Sequence, residues 1–362
     1  METLDATIHL AFAFDIGYEI DLEHARTVLP GESGRLVRRR RTPESIQYRP
    51  APLRMAVDAS GIQLPRTAAA FSPFAPRAEL TVFDFGAISL AVQFPVRLTA
   101  GELLELAGEL AETATLNASA RQVVTPWIDR LRPAVTDFEF SDISEEYILF
   151  QLGKVGPDWF EQHKHWIAGL VRLESEPLSK GEIAEATRLS LSYTPNDLLT
   201  LDWAAGFVAD PDCADTLQVI EFANVQLLEF RHIDDRLDDR LEAAYRQIVP
   251  ERRDRKRHAF WRSHNDAIRS VRELEIEATS LFERADNTLK LIGDQYLSRA
   301  FDLASTRFHL RDWEQSIRRK LDTVGNVYDL LVQQSGGHRM EVLELIVVVL
   351  ITLEIVLALF RH

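Results

Sequence analysis

The spacing of apolar positions shifts along this chain, and each shift predicts a different element. Ile8, Leu10, Phe12 and Phe14 alternate with smaller or polar residues, the period of a half-buried strand. Asp21 stands where a helix cap belongs, ahead of Leu22, Ala25 and Leu29, and Pro30 with Gly31 ends that helix. From 31 to 78 no period is sustained and prolines recur at 43, 50, 52, 65, 73 and 76, so the stretch reads as loop. Residues 79–96 read as two strands joined tightly at Gly86, with Leu80, Val82, Ile88, Leu90, Val92 and Phe94 among their apolar positions. Thr99 and Glu102 have the spacing of a capping box for a helix that buries Leu103, Leu106, Leu110 and Ala114. A further strand pair is expected at 134–140 and 147–152. The resulting order of strand, helix, strand, strand, helix, strand is that of a ferredoxin-like split βαβ unit.

The next segment is mixed. Residues 158–173 predict a helix, 179–189 a weaker one, and 191–208 one or two apolar strands. Asp210, Pro211 and Asp212 then break the pattern and mark the expected domain boundary. Beyond it there is no proline from 212 to 249 and none after Pro250. Ile220, Ala223, Leu227, Phe230, Leu237 and Leu241 fall mainly on steps of three and four, and so do Trp261, Ile268, Val271, Leu274, Ala278 and Leu281. Trp313, Ile317, Leu321, Val324 and Tyr328 make a third stripe, ended by Gly336 and Gly337. Long amphipathic helices of this kind must bury their seams against each other or against a partner.

Composition narrows the classes. Lys and Arg total 41 against 56 Asp and Glu, a net charge of −15, which argues against a general affinity for nucleic acid. A hydrophobic share of 46% with 27% charged residues excludes wholesale disorder and a polytopic membrane protein. Cys213 is the single cysteine, so no intrachain disulfide or thiolate-cluster metal site is available, and the bulk of the chain is expected to be intracellular. One stretch runs against the overall charge: from Arg35 to Arg54 seven arginines face only Glu44, a local balance of 7 − 1 = +6. It reads as a solvated loop, or as an arm for RNA, phosphate or anionic lipid through Arg38, Arg39, Arg40 and Arg41.

Candidate chemistry is sparse. No phosphate-binding loop, dinucleotide fingerprint, zinc-protease helix or nucleophile elbow occurs. His163 and His165 would project about 200° apart on a helix and cannot share a metal there. His258 and His264 accompany Arg252, Arg253, Arg255, Lys256 and Arg257, but neighbouring acids largely answer this basic run. His232 precedes Asp234, Asp235, Asp238 and Asp239, yet Arg236 and Arg240 alternate with them, so ion-pair lacing accounts for these acids better than a metal. No catalytic residue, cofactor, metal or small-molecule substrate is predicted.

Residues 342–360 read VLELIVVVLITLEIVLALF. As a helix they would span about 28 Å, close to the roughly 30 Å of a hydrocarbon core. Their apolar side chains favour insertion by about 7 kcal/mol, against about 2 kcal/mol for Glu354 and less for Glu344 near the edge. A terminal helix buried in an oligomer core also fits, but the balance predicts a single-pass anchor flanked by Arg339 and Arg361. The large acidic head would then lie on the cytoplasmic side.

The last third also carries a resemblance. Arg311, Asp312 and Trp313 open a helix that continues IRRKLDTVGNVYDLLVQQ, followed by HRMEVLELIVVVLITLEIVLAL, and VIEFANVQLLEFRHIDDRLD precedes them. This order resembles the "required for meiotic nuclear division" family, a domain-of-unknown-function family, from about Thr216 onward, with Arg339, Glu344 and Glu354 at matching positions. The resemblance implies an amino-terminal α/β region, a helical hairpin and one carboxyl-terminal membrane span. Without an organellar presequence it implies a bacterial member at the inner membrane. The expected fold is therefore α+β: a ferredoxin-like, mixed α/β head over 1–210, coiled-coil-like helices over 211–335 and a transmembrane helix within 336–362. The expected function is a self-associating, membrane-anchored, non-enzymatic scaffold. An RNA- or ribosome-associated factor using the arginine-rich loop is the alternative, and an enzyme in the head the second alternative.

Overall fold

A computed structural model describes residues 3–29, 50–72, 74–156, 158–248, 276, 278–280, 282–283 and 294–326. The chain divides into two compact units, 1–232 with 280–314 and 233–279 with 315–362.

The first unit is mixed α/β. In chain order its elements are β1 (Thr3–Asp15), β2 (Glu19–Ile20), α1 (Leu22–Val28), β3 (Leu53–Val57), α2 (Arg66–Phe71), β4 (Arg77–Val82), β5 (Ala87–Thr99), α3 (Ala100–Leu110) and α4 (Thr113–Leu131). Then come β6 (Val135–Thr136), β7 (Ser144–Leu152), α5 (Trp159–Arg172), α6 (Lys180–Ala186), β8 (Ser190–Leu191), β9 (Leu198–Leu201) and β10 (Ala205–Ala209). The long helix α7 (Ala214–Ile248) and α8 (Gln295–Arg307) follow. Eight strands form one sheet in the order β3-β4-β5-β1-β7-β10-β9-β8, and β2 pairs with β6 apart from it. β1 runs antiparallel to β5 along its whole length, from Thr3 opposite Thr99 to Asp15 opposite Ala87, and antiparallel to β7 on its other side. β7 and β10 are parallel, so the sheet is mixed. The run β4-β5-β1-β7 has the neighbour order of a split βαβ unit, extended by β3 at one edge and by β10, β9 and β8 at the other.

Alternation sorts the strand residues onto two faces. Ile8, Leu10, Phe12 and Phe14 join Leu80, Leu90, Phe94, Ile148 and Phe150 in one apolar core. Helices close it with Leu103, Leu106, Ile128, Ile167 and Leu170. Local chemistry places these helices. Asp21 accepts from the backbone N–H groups of Glu23 and His24 at 3.0 Å. Thr99 and Glu102 form both halves of the capping box that starts α3. At the β4–β5 turn Gly86 has φ +94°, and a Cβ there would collide with the Gly17 carbonyl oxygen.

The other face of the sheet meets α7. From 219 to 230 this helix is buried on every side, which requires packing around its whole circumference. Phe222 touches Phe83 and Phe85 beside the sheet and also Phe301 of α8.

In the second unit α7 continues from Ile233, and a helix runs over 315–326. Ile233, Leu237, Ala278, Ile317 and Val324 are buried there. Lys320 reaches Asp234 at 2.8 Å and Asp238 at 2.7 Å.

Several expectations are corrected. The transmembrane helix is one: among the described residues no helix is long and apolar enough to cross a membrane. The longest, α7, carries twelve Asp, Glu and Arg side chains over 214–248, and each costs about 3 kcal/mol at a bilayer centre. Residues 342–360, with Glu344 and Glu354 and the flanking Arg339 and Arg361, lie outside the described residues. The fold is therefore mixed α/β with a large mixed sheet, and the expected single-pass location falls with the anchor. The stretch 31–78 is not all loop, because β3 and α2 form within 50–78, whereas 30–49 lies outside the described residues. The strand expected over 134–140 shrinks to β6, which pairs with β2 and leaves β7 to β1 and β10. Helix α4 went unforeseen.

Candidate functional site

The face of the sheet turned to α7 is polar. Across the strands, Arg54, Thr81, Ser89, Ala13 and Glu145 form one row by register. His9 stands further along β1, where its imidazole meets Gln151 at 2.8 Å. Burial pushes the His9 pKa down, and the Gln151 contact only partly opposes it. Alanines at 11, 13, 87 and 91 keep the central strands low and leave room for α7.

Three polar knots tie this face to the segment beyond residue 216. Arg54 bridges Glu79 of β4 at 2.9 Å and Glu221 of α7 at 3.3 Å. At the start of β7, Arg231 pairs with Glu145, and Asn224 donates to the Glu145 carbonyl at 3.4 Å. Next to it, His232 lies 3.4 Å from the Ser141 hydroxyl and 3.7 Å from Asp15. Burial pushes the Glu145 carboxyl up to about 7, against the pull of the Arg231 guanidinium, while the Glu146 charge adds to the rise.

The third knot surrounds Asp202 in the β9–β10 turn, whose side chain is 1% exposed. It forms ion pairs with Arg172 at 2.8 Å and with Arg307 at 3.1 Å, and accepts from the Trp203 N–H at 2.8 Å. Arg307 also donates to the carbonyls of Leu201 and Glu185 at 3.1 and 3.2 Å. Tyr147 donates to the Asp202 carbonyl at 2.8 Å and packs edge-on against Phe308. Its burial, with the Asp202 carboxylate beside it, holds the phenol well above its ordinary pKa.

Not every polar atom on this face finds a partner. The Thr81 and Ser89 hydroxyls, one Glu221 oxygen and both ends of the Gln226 amide are buried without a hydrogen bond.

The residues singled out from sequence are dispersed. Arg38, Arg39, Arg40 and Arg41 lie outside the described residues, as do Arg339, Glu344, Glu354, Arg361, His258 and His264. Of the arginine-rich stretch Arg54 is described, and it is engaged by Glu79 and Glu221. His163 stacks on Trp159 at 4.2 Å, with Nδ1 2.8 Å from its carbonyl, while His165 is exposed, so the two do not converge. His232 lies beside Asp15, and Asp234 and Asp238 are held by Lys320. Cys213 is buried, and its thiol is pushed up to about 12 by burial and then by Asp210 and Asp212. Among the described residues no group of three or more His, Cys, Asp or Glu side chains is placed to hold a metal ion. A cavity of about 430 Å³ beside α2, lined by Ala59, Ile62, Leu64, Ala69 and Phe74 among others, has no titratable side chain in its wall.

Sequence reasoning missed Glu145, Arg231, Asp202 and Arg307. The signal was slight: two acids open an otherwise apolar strand at 145–146, and each partner is 86 or more positions away.

Comparison with known proteins gives a family without an assigned activity. The family model described as "Uncharacterized protein MJ0711, N-terminal domain" matches residues 5–216. A protein of Methanocaldococcus jannaschii, "Uncharacterized protein MJ0711", is 25% identical over 221 residues, covering 60% of this chain and 66% of the relative's own length. No solved structure matches the chain. The match does not show the family resembled by the last third of the chain, and a bacterial origin has no support from this archaeal relative. The matched region holds the sheet, while Glu221, Arg231, His232 and Arg307 lie beyond it.

Proposed function

This chain belongs to the family of the MJ0711 amino-terminal domain, and from that premise we propose a non-enzymatic scaffold or interaction protein that self-associates through its helices. One observation supports the reading most. The family domain offers a polar sheet face, and that face is occupied by the chain's own later helices through Arg54–Glu221, Glu145–Arg231 and Asp202–Arg307. The helical segment continues from Ile233 with an amphipathic pattern, burying Ile233 and Leu237 and displaying Asp235, Asp238 and Asp239. The domain is thus built to hold and present a helix. The resemblance of residues 216–362 to the "required for meiotic nuclear division" family belongs to the same proposal, as the source of a helical-hairpin expectation. Light scattering on the intact chain over a tenfold dilution tests it. A mass of two or more chains is expected, and a monomer at every concentration refutes self-association.

A second reading, an RNA- or ribosome-associated factor, is favoured by the local charge of +6 between Arg35 and Arg54. Replacing Arg38 to Arg41 together by Gln should then weaken binding to single-stranded RNA and lower its salt slope by about 3. An unchanged slope removes the reading.

A further inference from the structure

The eight-stranded sheet ends in two unlike edges. At one end β8 is two residues long, Ser190–Leu191, and so short an edge offers little to a further strand. At the other end β3 runs for five residues in unbroken register with β4, and among the described residues no strand lies on its outer side. The usual protections of an edge are missing. β3 has no proline, no bulge and no charge except Arg54, which is held by Glu79 and Glu221. The apolar core also runs out at this edge. Leu53, Met55 and Val57 stand opposite the buried Val82, Leu80 and Ala78 and pack on the core, yet they remain only half-buried. We propose that β3 is a docking edge for a second copy of this chain, the two β3 strands pairing antiparallel about a two-fold axis at Met55, a contact that rests on the self-association proposed above and adds the sheet to its helices.

The sequence of the strand selects this partner and this register. Run antiparallel to itself, LRMAV sets Leu53 against Val57 of the second copy, Met55 against its Met55, and Arg54 against its Ala56. The half-buried apolar row of one copy then continues into that of the other, and the exposed half of each side chain is covered. On the polar side each guanidinium meets a small side chain rather than a like charge. Glu79 of the second copy comes next in that row, because Ala56 pairs with Glu79 within each chain. Other registers are worse. Centring on Arg54 sets two guanidiniums directly opposite each other and draws in Pro52, which has no N–H to donate. Centring on Ala56 leaves only Met55, Ala56 and Val57 paired within the two strands. A slip of one residue turns the apolar row of one copy onto the polar face of the other.

Engineered disulfides in the intact chain test the pairing. Cys213, the single native cysteine, is buried, so a crosslink reports the introduced thiol. Met55→Cys brings two thiols together at the two-fold axis, where paired Cα atoms lie about 4.5–5.5 Å apart, within disulfide reach. Under mild oxidation by diamide this variant should run as a covalent dimer on a non-reducing gel. Val57→Cys places its two thiols about 14 Å apart and should stay uncrosslinked, whereas a mixture of Leu53→Cys and Val57→Cys chains should crosslink. Equal crosslinking at 55 and 57, or none at 55 in a chain that light scattering shows to be a dimer, overturns the edge and leaves self-association through the helices standing. A monomer at every concentration removes both. Hydrogen exchange on the unaltered chain gives a reading that no variant can spoil. Protection of amides 53–57 should rise about threefold or more as the protein is concentrated through its association range, while amides 190–191 do not follow. Amides 53–57 that ignore concentration while the mass rises overturn the proposal.

Discussion

Neighbouring residues on β4 and β5 live in different environments. Leu80 and Leu90 pair across the strands into the apolar core, and one position along, Thr81 and Ser89 pair into the face that α7 covers. All four are buried, at 1% exposure or less, yet they are held by different physics. The apolar face is stabilised by volume: any missing methyl group leaves a void. The polar face is stabilised by partners, and where a partner is lacking, as for the two hydroxyls, the group is a cost. One sheet thus carries a core that fixes the fold and a seat that holds a helix by a few charged pairs.

Changes at the seams of this arrangement should separate the two. The largest effect is expected at the β4–β5 turn, which serves both faces. Gly86→Ala must place a Cβ against the Gly17 backbone at φ +94° and should cost about 4 kcal/mol or prevent folding, read by denaturant unfolding. On the apolar face Phe150→Ala should cost about 3–5 kcal/mol by the same measurement.

On the polar face Arg307→Ala should cost about 3 kcal/mol, because Asp202 keeps its burial and loses one of its two guanidinium partners. Replacing Asp202 by Asn in the same chain should recover part of that loss, a rescue with no counterpart for Phe150. If the double variant is no more stable than Arg307→Ala, the knot is ordinary packing and the comparison weakens.

A smaller effect concerns pH. Burial lowers the His9 pKa, so the unfolded chain binds that proton more readily than the folded one. The stability owed to a neutral His9 is present above about 6.5 and is lost as the pH falls below it. In His9→Gln this acid-side loss should shrink while stability at about pH 8 stays the same. Glu145 acts in the opposite sense, losing stability as the pH rises from 4.5 to about 7. A titration of unfolding free energy in His9→Gln and Glu145→Gln separates the slopes. No apolar-face variant should alter either.

Much of the apolar face was legible from sequence, and little of the polar one. The alternation at Ile8 to Phe14, the Gly86 turn, the Asp21 cap and the Thr99–Glu102 box are local signals, and the structure forms each of them locally. Helix α4 also had a readable stripe, Leu116, Ala120, Val124 and Ile128, all buried at a spacing of four, but Pro126 and the polar Asn117 and Ser119 obscured it. β3 and α2 were hidden because prolines flank them: Pro50 and Pro52 precede the strand, and Pro65 stands at the helix start. The polar knots had no local signal. Glu145 looks like any strand-end acid until Arg231 arrives from 86 positions away, and Asp202 looks like a turn residue until Arg307 closes over it. Asp234 and Asp238 were expected to pair with arginines along α7, whereas Lys320 reaches both of them from another helix, a contact with no local signal.

The contrast between the faces is tested most directly on the two adjacent cross-strand pairs of β4 and β5. Unfolding free energies would be measured for Leu80→Ala and Leu90→Ala and for Thr81→Val and Ser89→Ala, under one condition. The two leucine variants should each lose about 2–5 kcal/mol. The two hydroxyl removals should change stability by less than about 1 kcal/mol, or raise it, because each deletes a buried group that has no partner. Hydroxyl losses as large as the leucine losses would contradict a seat built from partners, and would mean that both faces are packed as one core.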